Sequence, residues 1–194
     1  MLKKIILTAI ISVSAFAMHS AEVNINDTDL ELNAKLDIGQ FNQNVEPATM
    51  FIGARFLSAD KEHSSDKNYN NDPYYEMNFL MMRPVGKMGL SFGMGVKLNY
   101  TKDFSSMPLG LEAEYRFKHP KLLPMFLHAS AYYGPKVLSF GNGDRFYEYR
   151  ISYDLELIDN GRITIGYRSL NTNYENSDDY IYNRTFYGGF KFFF

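Results

Sequence analysis

The stretch Phe186-Tyr187-Gly188-Gly189-Phe190-Lys191-Phe192-Phe193-Phe194 decides the fold. Aromatic rings stand at 186, 190, 192 and 194, so every second position is aromatic apart from Gly188. Period-two alternation is the mark of a strand with two unlike faces. Soluble domains normally finish on polar, loosely held residues. A strand this greasy fits a barrel whose outer wall meets lipid, because lipid-facing and lumen-facing side chains alternate there. The terminal aromatics Phe190, Phe192 and Phe194 are also read as the signal that barrel-assembly machinery recognises.

The same alternation recurs upstream. From Leu90 to Tyr100 the apolar set is Leu90, Phe92, Met94, Val96, Leu98 and Tyr100, against Ser91, Gly93, Gly95, Lys97 and Asn99. Leu109–Phe117 sets Leu109, Leu111, Ala113, Tyr115 and Phe117 against Gly110, Glu112, Glu114 and Arg116. Tyr147–Leu157 sets Tyr147, Tyr149, Ile151, Tyr153, Leu155 and Leu157 against Glu148, Arg150, Ser152, Asp154 and Glu156. Runs of this length match tilted membrane strands of about 9–11 residues, and exceed the soluble mean of about 5–6. Less regular segments are Leu30–Phe41, Ala48–Ser58, Tyr74–Arg83, Met125–Gly134, Arg162–Thr172 and Tyr182–Phe194. No segment carries a helical stripe.

Loop lengths alternate as well. Short connections (Pro84–Lys87, Lys118–Pro124, Asp159–Gly161) interleave with longer polar ones (Ala59–Pro73, Thr101–Met107, Pro135–Asp144, Asn173–Ile181). Outer-membrane barrels have short periplasmic turns and longer outward loops. The expected fold is therefore an all-β, antiparallel, up-and-down transmembrane β-barrel occupying residues 30–194, or starting earlier. Nine segments are patterned, yet single-chain bacterial barrels carry even strand numbers. Counting back from Phe194 in the periplasm, a further upward strand is needed before Leu30, and Glu22–Asn26 is the candidate within 18–29. Ten strands are favoured, with eight as the fallback.

The N-terminus supplies the address. Lys3 and Lys4 precede an apolar run from Ile5 to Phe16 and the small-x-small pattern Ala15-Phe16-Ala17. That is a secretory signal peptide over residues 1–17. Cleavage after Ala17 fits best; after Ala21, His19 would occupy a small-residue position. The leader carries two of the 20 basic residues and none of the 22 acidic ones, so the mature chain is net −4. Mild acidity argues against nucleic acid as a partner. With no cysteine in the chain, disulfides, thiolate metal sites and lipoprotein acylation are excluded. No cofactor motif is present, neither P-loop nor Rossmann fingerprint nor HExxH.

The segment Ile163-Thr164-Ile165-Gly166-Tyr167-Arg168-Ser169-Leu170, the strand end Ala131-Tyr132-Tyr133-Gly134-Pro135 and the closing aromatic strand resemble the YfaZ-type family of small outer-membrane proteins. The likeness runs over most of the mature chain and is strongest after Leu109. It implies a location and an architecture, with no catalytic residues to carry over. Implied partners are outer-membrane lipid and lipopolysaccharide, with assembly machinery and periplasmic chaperones during biogenesis, for a monomer.

Three constellations of residues bear on function. The inward charges Lys97, Glu112, Glu114, Arg116, Glu148, Arg150, Asp154, Glu156, Arg168 and Lys191 are expected to pair across the lumen as a structural network. Glycines on that face are expected to make room for opposing Arg and Glu side chains. The alternative is a narrow path that weakly prefers cations, acidic residues being in slight excess. His128 and Ser130, with a carboxylate such as Glu148 on the next strand, could form a hydrolase triad. They resemble the His-x-Ser of lipid A deacylases, but lie off the lipid-facing side and lack the following Asn, Ala131 standing there. Loop carboxylates (Asp60, Glu62, Asp66, Asp72, Glu175, Asp178, Asp179) could hold divalent cations, though without EF-hand spacing. The expected role is a non-enzymatic structural or surface-interaction barrel acting through its long loops, without cofactor or metal.

Overall fold

The computed structural model describes residues 19–42, 44–59, 72–102, 104–117, 122–174 and 180–194. The leader and most of two long loops, with the candidate loop carboxylates other than Asp72, lie outside these residues. Ten long strands form the wall: β1 (Ser20–Ile25), β2 (Asp29–Asp37), β3 (Met50–Ala59), β4 (Tyr74–Val85), β5 (Leu90–Tyr100), β7 (Leu109–Phe117), β8 (Met125–Gly134), β10 (Gly143–Ile158), β11 (Gly161–Tyr174) and β12 (Tyr180–Phe193). Two short strands, β6 (Phe104–Ser106) and β9 (Ser139–Gly141), lie within what the sequence presents as loops. Three-residue strands carry too little pattern to be seen by periodicity.

Every neighbour is antiparallel, and the sheet closes on itself. β1 pairs with both β2 and β12, while β4 pairs with β3 and β5. Closure removes the unpaired edges that a lipid environment would penalise. The result is an all-β, closed, ten-stranded antiparallel barrel. β1 closes it through six register pairs with β12, from Ser20↔Phe193 to Ile25↔Gly188.

The alternation read from the sequence sorts side chains between the two walls. Leu98 on β5 is 56% exposed, whereas its neighbour Lys97 is 4% exposed. Outward rings meet at tilted angles from β8 to β12, through Tyr133–Tyr147 (5.1 Å), Tyr149–Tyr167 (6.3 Å) and Tyr167–Phe186 (5.0 Å). Such amphipathic rings suit the headgroup level of a bilayer. Phe190 and Phe192 of the closing strand are exposed on the same outer wall.

Some strand ends differ from the pattern, with local reasons. β2 stops at Asp37 because its carboxylate accepts the Gly39 N–H (2.9 Å) and the Ala48 N–H (2.7 Å), capping a 3₁₀ turn over Ile38–Gln40. β3 starts at Met50 rather than Ala48, since Ala48 has φ 60°, outside strand conformation. β4 runs on through Pro84 to Val85, and the hairpin turns on Gly86 (φ 65°) and Gly89 (φ 86°).

The inward glycines do not make room for Arg and Glu from across the lumen. A Cβ on Gly95 or Gly110 would meet the ring or hydroxyl of Tyr132, one on Gly166 would meet Tyr187, and one on Gly189 would meet Asn24. Neighbouring strands lie about 4.8 Å apart, so a large ring laid flat against the wall needs a bare residue beside it. The glycines therefore bed side chains of adjacent strands along the wall.

Candidate functional site: the layered lumen

The inward faces build three layers. Nearest the loop end, Leu57 (β3), Tyr74 (β4), Phe104 (β6), Phe146 (β10), Leu170 (β11) and Tyr182 (β12) form a buried apolar cluster. Tyr74 lies 6.4 Å from Phe146 and 5.5 Å from Tyr182, and Phe104 lies 6.0 Å from Phe146 (ring centroids). Side chains of five wall strands and one short loop strand thus meet across the lumen near that end.

Beneath it lies a charged layer. Arg55 donates to Glu148 (Nη1 to Oε1, 2.6 Å), to the Tyr74 hydroxyl (3.1 Å) and to Glu76. Lys97 Nζ reaches Glu148 Oε2 at 2.8 Å and sits 3.9 Å from the centroid of the Tyr132 ring. Glu31 accepts from Arg150 (2.5 Å) and Asn24 (2.8 Å), with Arg168 Nη1 at 3.3 Å. Arg168 also donates to Asp29 (3.0 Å) and Asn183 (2.7 Å). Buried charge is tolerated only when paired and hydrogen-bonded in this way.

Toward the end that holds His19 and Phe194 the pairs are longer. Glu112 accepts from the Tyr132 hydroxyl (2.7 Å), with His128 Nε2 at 3.1 Å and Lys35 Nζ at 3.4 Å. Lys191 bridges Asp154 (2.9 Å) and Glu22 (3.5 Å). Arg162 bridges Glu156 (3.4 Å) and Glu114 (3.8 Å). A cavity of about 370 Å³ opens here, with Phe51, Leu80, Ser130, Ser152 and the segment Glu46–Thr49 among its walls.

Of the charges singled out in the sequence, the structure brings Lys97 to Glu148, Arg150 and Arg168 to Glu31, and Lys191 to Asp154. Arg116 is exposed near the turn end, its guanidinium 5.6 Å from the Phe126 ring centroid. Glu31, Arg55, Glu76, Asp29 and Arg162 carry much of the network and were not singled out. Each sits at inward parity, Arg55 between Ala54 and Phe56, for example, and Glu76 between Tyr75 and Met77. That parity was the available signal, in segments whose alternation is less regular.

His128 and Ser130 share the inward face of β8, while Ala129 and Ala131 are exposed. The carboxylate beside His128 is Glu112, whereas both Glu148 oxygens are engaged by Arg55 and Lys97. The triad with Glu148 is thus not assembled. Among the described residues, no group of three or more His, Asp or Glu side chains could hold a metal ion. No helix among the described residues is long and apolar enough to cross a membrane.

A closed, strongly alternating antiparallel barrel with an apolar outer wall and an ion-paired interior is an integral outer-membrane β-barrel. The model of the family described as YfaZ precursor matches residues 2–194, and the chain belongs to that family. The word precursor fits the leader read at the N-terminus. Among solved structures, the chain is similar to the outer membrane channel DcaP of Acinetobacter baumannii at 9% identity and a TM-score of 0.42. That match covers 94% of this chain and 55% of the other, so the chain spans about half that channel's length. No curated protein matches the chain significantly.

Proposed function

We propose that this protein is a closed, non-enzymatic outer-membrane barrel that acts as a structural or surface-interaction scaffold. Both termini lie in the periplasm and the loop end faces outward. The observation that carries this reading is the apolar cluster around Tyr74, Phe104 and Phe146, which meets across the lumen above an ion-paired charged layer. Apolar rings meeting across the lumen narrow any polar path for ions, which disfavours the narrow-channel alternative. Hydrolysis at His128 and Ser130 is disfavoured too, because they face the lumen and not the lipid wall. Lipopolysaccharide at the outer wall, and assembly factors during biogenesis, are the partners this reading implies.

The native chain has no cysteine, so single introduced thiols report cleanly on sidedness. Val137, 79% exposed beyond β8, and Asp159, exposed in the β10–β11 turn, lie at opposite ends. A bulky maleimide that cannot cross the outer membrane should label Val137→Cys in intact cells and label Asp159→Cys only after permeabilisation. The reverse pattern would overturn the orientation. An altered lipid A mass profile in cells lacking His128 would overturn the non-enzymatic reading.

A further inference from the structure

Near the loop end the outer wall changes character between β10 and β12. On β2, β4, β5 and β7 the outward positions there are apolar, and Leu30, Tyr75, Tyr100 and Leu109 are all exposed. On β10–β12 they turn polar and cationic. Arg184 (β12) shares a row with Ser169 (β11) and Tyr149 (β10) through the strand register. One row nearer the loops Tyr147 pairs with Asn171, and the next row pairs Arg145 with Asn173. Arg145 and Arg184 are both exposed, each at the outward parity that Tyr149 and Phe186 hold on the same strands. Arg184 Nη2 donates to Asn171 Oδ1 (3.3 Å), and Asn171 Nδ2 donates to Ser169 Oγ (3.1 Å). Ser169 is fully buried beneath them although it faces outward. The two arginines thus stand on the strands either side of Asn171.

Among the described residues, basic charge is in excess at this rim. Asp144 lies 3.3 Å from Arg145 and 3.8 Å from Lys136. Arg184 forms no ion pair there, although Asp27 stands in the β1–β2 turn whose Asn26 bonds Thr185. Glu175, Asp178 and Asp179 of the β11–β12 loop lie outside the described residues. An outward arginine is costly at the middle of a bilayer and nearly free at its interface. The rings of Tyr133, Tyr147, Tyr149 and Phe186 around the patch mark that interface level. The anion an outward side chain meets at this level is a lipid phosphate. A guanidinium fork matches phosphate oxygens with paired N–H donors. Arg184 spends one nitrogen on a neutral amide and keeps its other donors for an anion. With the loop end outward, the phosphate-bearing lipid of that leaflet is lipopolysaccharide, whose lipid A is a phosphorylated, acylated sugar.

We infer that the outward patch around Arg145 and Arg184 docks a phosphate group of lipid A, whose acyl chains lie along the exposed rings of Tyr149 and Phe186. The inference names a site for the scaffold's lipid partner and rests on the orientation proposed above. It is tested by native mass spectrometry of the full mature protein released from detergent micelles. Bisphosphorylated lipid A is the probe; dephosphorylated lipid A, phosphatidylglycerol and inorganic phosphate are the competitors, with EDTA present throughout. The result expected is saturable retention of one lipid A that no competitor displaces at equal concentration. Arg145→Gln and Arg184→Gln, each checked for heat-modifiable gel mobility, should weaken retention about fivefold each. Arg116→Gln, exposed at the turn end, should leave it unchanged. Displacement by any competitor overturns the inference, as does unchanged retention in either arginine variant at the patch. So does an absence of retention in EDTA, which would assign the contact to a cation bridge from the loop carboxylates. The orientation has its own readout: reversed maleimide labelling overturns it in cells, whereas retention by the purified protein tests the patch alone.

Discussion

Glu31 shows what one buried charge does in this barrel. It has no solvent exposure and gathers Arg150, Arg168 and Asn24 around one carboxylate. Glu31→Leu strands buried guanidinium groups, and removing one partner of a buried pair costs about 3–5 kcal/mol. Urea unfolding followed by gel mobility should show that loss, whereas exposed Arg116→Gln should shift stability by less than about 0.5 kcal/mol. Gly166 gives a second residue-scale expectation. A Cβ there would press on the Tyr187 ring, so Gly166→Ala should cost about 1–3 kcal/mol by overpacking. Tyr187→Ala should relieve much of that cost, and a double-mutant cycle measures the coupling. Parity in the sequence is enough to send Lys97, Glu148 and Arg168 inward. It cannot say that Arg55 meets Glu148, because those residues are 93 positions apart and meet only once the sheet has closed. The bedding of Tyr132 on Gly95 and Gly110 was hidden for the same reason: it depends on lateral register between strands.

Among the elements, β1 is the most exposed to how the chain is processed. The His19 ring stacks on Phe41 (5.8 Å) and leans on Phe194 (5.9 Å), while its Nδ1 accepts the Asp37 N–H (3.0 Å). Cleavage after Ala21 would remove these contacts and two of the six register pairs that close the barrel onto β12. The intact mass of the mature protein should therefore correspond to a chain beginning at Met18; a chain beginning at Glu22 would contradict this. Long strands were legible because nine or more alternating positions repeat one message. Ser20–Ile25 was visible only through the parity of strand number, since six residues carry little pattern. β6 and β9 were invisible, yet Phe104 of β6 completes the apolar cluster. The most consequential lumen residue near the loop end thus sat in a segment that reads as loop.

At the scale of the whole molecule, the wall and the interior are set by different features of the chain. The wall follows from alternation and closure, and the sequence alone favours a ten-stranded barrel. The interior follows from which layer each inward residue joins, apolar near the loops, charged at mid-height, open toward the termini. Sequence parity places a residue on the inner face but not at a height, so neither the apolar cluster nor the cavity is legible in it. A barrel crossed by this apolar cluster should hold ions back even though charged groups crowd its lumen. Single-channel recording in planar bilayers, on protein shown to be folded by heat-modifiable mobility, tests this most directly. Electrical silence across the applied voltage range is the result expected. Discrete, reproducible conductance steps whose size or ion preference changes on neutralising Glu148 or Arg150 would contradict it, and would make the lumen a conducting path.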